Sequence, residues 1–404
     1  MDQQPYSRPV YILFLTLPFG ISSGFVTVTL PYLLTHQGFS VVTTGALVAL
    51  GVSSNIWRFL WGPVADLTLS LRKWLWIGVL ATIVTLLILC LVPYNTKDTV
   101  WIGAMIFISQ VAGTFVVMPV SSIIAHRIEP SKKGRASGWY QAGNLGGVGL
   151  GGGAGLWLAT HFNVITAGIV LSIACLLSAL VVELIKDVTP EKGRGILKEI
   201  GILGKDLWAM VRVPVVLFVM VLVLMPIGSG AASNLWSAIA GDWNTSVDTV
   251  ALVTGVLSGV TGTIGSVAGG YLADRFGVWV AYLGSGTVCA LVALIMAVLP
   301  FQPAEYIGGV LAYAFGLGLL NAAFSAVILY AIGKKNAATK YSLISSLGNV
   351  PVVYMTTFDG WTHDLRNSQF MLLAEAGLGI IFILICILVL HRMRKKNLIP
   401  SIVE

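Results

Sequence analysis

Gly270-Tyr-Leu-Ala-Asp274-Arg275-Phe-Gly277 lies at the junction of two long apolar runs, Val250 to Leu272 and Val278 to Leu299. A shorter copy, Gly62-Pro-Val-Ala-Asp66, ends the run Val41 to Val64 and is followed by Arg72 and Lys73. Each copy sets a glycine four residues before an aspartate. A second echo lies further along. Arg135, Ser137, Gly143 and Asn144 recur as Lys340, Ser342, Gly348 and Asn349, every member displaced by 205 residues. Two related halves of similar length follow from these registers.

The apolar runs around these motifs number twelve. Six precede a polar stretch: Val10 to Leu34, Val41 to Val64, Trp74 to Val92, Val100 to Ile124, Ser137 to Ala159 and Val164 to Ile185. Six follow it: Val213 to Trp236, Val250 to Leu272, Val278 to Leu299, Tyr306 to Ile332, Tyr341 to Phe358 and Phe370 to Leu390. About 20 apolar residues cross a bilayer as a helix, whereas a barrel strand alternates apolar and polar positions. The expected fold class is therefore an all-α membrane protein of twelve transmembrane helices. Two pseudo-symmetric six-helix bundles, 1–186 and 213–404, flank a cytoplasmic linker at 187–212. Ile196, Ile200, Leu203 and Leu207 in that linker fall at helical spacing and suggest a short surface helix.

Composition agrees. The 404 residues are 56% hydrophobic and 10% charged, against about 25% charged in a soluble domain. Disorder is excluded by that hydrophobicity. The net charge of +7 is not a nucleic-acid signal, because the basic residues punctuate apolar runs instead of forming a groove. Of the 24 Lys and Arg residues, 21 fall at the termini and in the even-to-odd connections. Only Lys97 and Arg366 fall on the opposite side, and Arg58 lies inside a span. This asymmetry puts both termini in the cytoplasm. The four cysteines sit within apolar runs, as small packing residues do. No cleavable signal peptide is read at the N-terminus.

The Gly-x-Leu-Ala-Asp-Arg-x-Gly pattern at 270–277, with twelve spans and a central loop, resembles the major facilitator superfamily. Within it, Arg58-Phe-Leu-Trp-Gly-Pro-Val-Ala-Asp66 and Gly134-Arg-Ala-Ser-Gly138, leading to Gly151-Gly-Gly-Ala-Gly, resemble the branch of AmpG-like muropeptide permeases and acetyl-CoA transporters. The resemblance implies a transporter working by alternating access. One departure stands out: the branch carries two carboxylates in span four, and the matching positions hold Met118 and Ser122, or Val111 and Phe115 in the other register.

No nucleophile–base pair, Walker loop or clustered metal ligands appear, so neither enzyme activity, nor a cofactor, nor a metal is expected. Arg58 lies about 12 Å deeper than Asp66 at 1.5 Å per residue. It either snorkels to the headgroups or anchors an anionic substrate. Glu375, in span twelve, is the intramembrane carboxylate best placed to carry a proton, with a local hydrogen bond as the alternative reading. Gln110, Gln141, Asn144, Asn234, Trp236, Asn321, Asn349 and Tyr354 complete the candidate substrate site, as amides and aromatics suited to a polar or amphiphilic solute. Asp66 and Asp274 end helices at the cytoplasmic side, where a carboxylate opposes the helix dipole. They are expected as latches against Lys340 and Arg135, with Gly270, Arg275 and Gly277 completing the turn. The expectation is a monomeric, proton-coupled carrier of a small organic solute in the lipid of a bacterial inner membrane. Efflux of a drug or metabolite and a non-concentrative sensor are the alternatives.

Overall fold

The computed structural model describes residues 6–129, 132–187, 211–332 and 337–395, with residues 201, 204 and 208 between them; for 59–67, 125, 133–135, 332 and 337–339 it describes the backbone alone. The described residues are helical and contain no strand. In chain order the long helices are α1 (Tyr11–His36), α2 (Val41–Leu67), α3 (Leu71–Leu91), α4 (Thr99–Arg127), α5 (133–161) and α6 (Val164–Leu184). They continue as α7 (214–243), α8 (Val247–Phe276), α9 (Val278–Val298), α10 (Pro303–Ile332), α11 (337–365) and α12 (Ser368–Lys395).

Among the described residues, eight of these are long and apolar enough to cross a membrane on their own: α1, α3, α4, α6, α8, α9, α10 and α12. The other four are α2, α5, α7 and α11. Glycine dominates the middle of α5, α7 unwinds after Leu222, and α11 is interrupted at Gly348. Several helix limits differ from the apolar runs. Helix α11 continues past Phe358 to Leu365, and α12 runs on to Lys395. The expected surface helix of the linker falls largely on residues outside those described.

Helix starts follow local chemistry. Ser70 caps α3 by accepting from the Lys73 N–H, and Asn163 caps α6 by accepting from the Thr166 N–H at 2.7 Å. Pro214 opens α7 at a position where a missing N–H matters least. Gly277 separates α8 from α9 at φ 84°, a left-handed turn that suits glycine alone among ordinary residues. The last glycine of the 270–277 motif is thus a turn residue.

The chain divides into two compact units. The first takes residues 1–39, 50–200 and 247–259, and the second takes 40–49, 201–246 and 260–404. The first turns of α2 therefore cluster with the second unit, and the first turns of α8 with the first.

In the first unit, α1 and α5 meet backbone to backbone. A Cβ on Gly143 would stand 2.3 Å from the Leu13 carbonyl oxygen, and one on Gly151 1.9 Å from that of Ile21. Gly143, Gly147 and Gly151 thus form the smooth face of α5 on which α1 lies. The opposite side of α5 receives the start of α8, where a Cβ on Gly255 would reach the Gly153 Cα at 2.6 Å. Each of these helices carries a π-helical stretch at the meeting point: Phe25–Thr29, Gly149–Ala154 and Ala251–Leu257. A π turn leaves carbonyls without their usual partners, and the Thr29 hydroxyl donates to those of Gly151 and Gly152 at 2.8 and 3.0 Å. Around this seam, Leu15, Phe19, Leu75, Val79, Val116 and Val182 form a dry core.

Gly151→Ala forces α1 and α5 apart, because the obstacle is backbone; overpacking of this kind costs about 1–3 kcal/mol or more. Gly146→Ala meets its nearest neighbour only at 4.0 Å, so the helix propensity of alanine is free to act, worth up to about 1 kcal/mol. Melting in detergent is expected to show Gly151→Ala well below wild type and Gly146→Ala at or above it. Equal melting of the two variants contradicts the backbone contact.

Candidate functional site

The two buried acids among the described residues, Asp359 and Glu375, both lie in the second unit, near the break in α7. Helix α7 stops at Leu222, and Gly228 and Gly230 take positive φ before a tight turn at Ala231–Asn234. A broken helix frees backbone groups that must find partners away from water. Tyr354 of α11 donates its hydroxyl to the Leu224 carbonyl at 2.9 Å. Tyr306 of α10 donates to the Trp236 carbonyl at 2.8 Å. The Ala232 backbone donates to the Glu375 carboxylate of α12.

Glu375 is 7% exposed, and its Oε1 also accepts the Tyr313 hydroxyl of α10 at 2.6 Å. Trp236 packs edge-on against the Tyr313 ring at 5.6 Å. Asn234 donates to the Thr356 hydroxyl at 3.1 Å. One turn beyond Thr356 on α11 stands Asp359, fully buried, with neither carboxyl oxygen hydrogen-bonded. Sequence reading missed Asp359, because it follows the last apolar residue of its run and passes for a loop acid.

The remaining expected substrate residues scatter. Gln110 is buried in the first unit and donates to Ser22, to its hydroxyl at 3.0 Å and its carbonyl at 3.3 Å, so its amide pairs α4 with α1. Asn349 donates only within its own helix, to the Ser345 and Ser346 carbonyls. Gln141 and Asn321 are exposed, and Asn144 is half-buried. Arg58 is half-buried and makes no hydrogen bond or ion pair among the described residues. Glu183 takes a structural role, pairing with Arg72 at 3.0 Å and accepting from Trp76 at 2.9 Å.

At the expected gate, the side chains of Asp66 and Arg135 lie outside those described. Asp274 is exposed and Lys340 half-buried. Arg275 is exposed and donates to the Tyr271 hydroxyl at 3.1 Å. Gly270 faces open space. A pocket of about 310 Å³ at the rim of the first unit, between Tyr6, Arg8, Glu129 and Trp139, contains none of the expected substrate residues.

A second cluster closes the Leu365 end of the second unit, beyond the apolar part of α11. His363 Nε2 meets Asp242 Oδ2 at 3.0 Å, and His363 Nδ1 meets Asp364 Oδ1 at 3.2 Å. Asp242 also accepts the Ser368 hydroxyl. Asp364 accepts the Val41 and Val42 N–H groups at 3.1 and 3.0 Å, capping the start of α2. Burial pulls the imidazole down, but hydrogen bonds to Asp242 and Asp364 and their charges outweigh it and hold His363 above the ordinary histidine value. Burial pushes Asp242 up, but hydrogen bonds from His363 and Ser368 and the His363 charge outweigh it and hold its carboxyl below the ordinary value.

These shifts fix the sign of a pH effect. The His363 contribution to stability is full below the ordinary histidine pKa, about 6.5, and is lost as pH rises through the raised value. The Asp242 contribution is full above the ordinary aspartate pKa and is lost as pH falls through its lowered value. The melting difference between wild type and His363→Gln is therefore expected to be largest in mild acid and to shrink toward alkaline pH. With Asp242 40% exposed, the difference stays at about 1 kcal/mol or less. A difference that grows with rising pH contradicts the ion-paired imidazolium.

No curated protein matches the chain significantly. Among solved structures, a peptide transporter of the POT type in complex with sulfate superposes with a TM-score of 0.74 at 14% identity, covering 98% of each chain. The nucleoside transporter NupG gives 0.72 at 14% identity, covering 94% of this chain and 98% of its own. A bacterial homologue of the human lysosomal transporter Spinster, inward-facing and unoccupied, gives 0.71 at 17% identity, covering 94% and 95%. Likeness at such identity shows a shared fold. The family model of the Major Facilitator Superfamily matches residues 12–356. The chain is thus an integral, multi-pass membrane transporter, not an enzyme, and belongs to the Major Facilitator Superfamily.

Proposed function

We propose that the protein is a proton-coupled secondary transporter that moves a small polar or amphiphilic organic solute by alternating access. The observation that carries this reading is Glu375. A carboxyl 7% exposed, inside a helix apolar enough to cross a bilayer, is held by Tyr313 and has one oxygen left unpartnered. An ionisable group at such depth is expensive and marks a pathway for ions or substrate. A D-xylose–proton symporter is among the structures of similar fold, at 15% identity and TM-score 0.69; its name supports a coupling proton here by analogy alone.

Arg58 gives the solute its charge in this reading. It is half-buried and without a partner among the described residues, and an anionic group on the solute satisfies it. The resemblance of 58–66 and 134–138 to AmpG-like permeases supports a cell-wall-fragment-like solute, while the acid-free span four sets this chain apart from that branch. Gln141, Asn144, Asn321, Asn349 and Tyr354 join Arg58 along the path, with Gln110, Asn234 and Trp236 supporting it from within the helix packing. Asp66 and Asp274 act as cytoplasmic latches, meeting the starts of α11 near Lys340 and α5 near Arg135 in the outward-open state, on turns set by Gly270, Arg275 and Gly277. The charge asymmetry supports a twelve-span monomer with both termini in the cytoplasm of a bacterial cell, in its inner membrane and bounded by lipid. The two halves are 1–186 and 213–404, joined by the linker at 187–212.

Uptake of organic anions, short peptides, sugars and nucleosides into proteoliposomes tests the reading. Accumulation is expected only with an inward proton gradient. Arg58→Gln is expected to lower uptake tenfold or more with unchanged melting, since a charge-assisted hydrogen bond is worth about 1.5–3 kcal/mol and about 1.4 kcal/mol is a factor of ten. Gradient-independent flux removes the coupling, and full uptake by Arg58→Gln returns that side chain to snorkelling.

A further inference from the structure

Glu375 does not act alone. Asp359 on α11 and Glu375 on α12 lie within electrostatic reach of each other, and Tyr313 on α10 is in reach of both. The two acids are satisfied very differently. Glu375 accepts two hydrogen bonds, from the Tyr313 hydroxyl and the Ala232 backbone, which compensate a negative charge. Asp359 has 0% exposure and no hydrogen bond at either oxygen.

Apart from His363, one turn along α11 and already paired with Asp242 and Asp364, the surrounding elements bring no positive charge among the described residues. Helix α9 brings Cys289, helix α10 brings Tyr313, and the break of α7 brings the uncharged Asn234 and Trp236. The first turns of α2 pack against α11 here, where a Cβ on Gly45 would stand 2.8 Å from the Thr356 carbonyl oxygen; residues 41–49 contain no titratable side chain. Neither acid forms an ion pair among the described residues. A lone carboxylate in such surroundings is tolerated only by taking up a proton, and two carboxylates side by side do not both stay ionised.

We propose that Asp359 and Glu375 form a two-carboxyl site that binds one proton, carried on Asp359 in the conformation seen here while Glu375 stays ionised. The proposal rests on the proton-coupled reading above and adds its binding site and a second acid. It also assigns the point of exchange. Gly360, the next residue, abuts the start of α2: a Cβ there would lie 2.8 Å from the Val41 carbonyl oxygen. Withdrawal of those turns of α2 uncovers Asp359. The acid O–H then breaks, the proton leaves to water, and the carboxylate remains hydrated until the contact reforms. Closure over α2 and protonation of Asp359 therefore favour each other by linkage.

Infrared spectroscopy of the full-length protein in lipid nanodiscs tests this site with the proton itself as probe, in potassium buffer without solute. Wild type is expected to show a protonated-carboxyl carbonyl band. The band is expected to disappear in Asp359→Asn and to persist in Glu375→Gln. Labelling aspartate with carbon-13 at its side-chain carboxyl is expected to shift the band, and labelling glutamate to leave it in place; this holds even if a variant fails to fold. A band unchanged in Asp359→Asn, one that shifts with labelled glutamate, or none in wild type overturns the proposal. Loss of the band on adding sodium reassigns the site to a metal cation and overturns it as well. Because no solute is present, the band survives if the transport reading fails; a band without gradient-driven uptake leaves a proton site and removes its coupling role.

Discussion

An ionisable group taken out of water has to be paired, hydrogen-bonded or neutral, and this chain leaves itself few ways to comply. With 10% charged residues in 404, acids near the helix ends find bases, and the deeply buried ones do not among the described residues. Glu183 finds Arg72 near the rim, and Asp242 finds His363 at the Leu365 end. In the interior of the second unit, among the described residues, Glu375 has only a phenol and a backbone N–H, and Asp359 has no hydrogen-bond partner. The two buried acids among the described residues therefore lie where α7, α10, α11 and α12 converge.

The same accounting shapes the backbone. Where α7 breaks, tyrosines from α10 and α11 take up freed carbonyls, so the break is supported from its neighbours. Where α1, α5 and the start of α8 meet, glycine lets main chains touch and Thr29 satisfies the carbonyls of a π turn. Both devices produce helices that are irregular where they are buried. In transporters such irregular helices line the path of substrate and ion.

Much of this was legible in the sequence. Long apolar runs require helices, and the basic residues divide by side, so an all-helical membrane protein follows from composition and spacing. The 270–277 motif led to the superfamily. Glu375 stood out because nothing else in its run is charged. Asp359 did not, because it directly follows Phe358 at the edge of an apolar run, and only the structure shows α11 continuing to Leu365 with Asp359 inside it. Gln110 shows the opposite limit. A buried amide reads as a ligand for solute or as a tie between helices with equal ease, and its bonds to Ser22 are a matter of rotation about α4 that no spacing fixes. The break in α7 had a signal in Pro226-Ile-Gly228-Ser-Gly230, which the reading of Val213 to Trp236 as one apolar run passed over; the positive φ of Gly228 and Gly230 belongs to the packed fold.

The central claim is that solute moves together with a proton held by the Asp359–Glu375 pair. Proteoliposomes loaded with a fluorescent pH indicator, to which a transported solute is added outside without any imposed proton gradient, test it most directly. The account predicts that the lumen acidifies as solute enters through wild type. It predicts no acidification with Asp359→Asn, while exchange of labelled for unlabelled solute continues. Equal acidification through wild type and Asp359→Asn contradicts it.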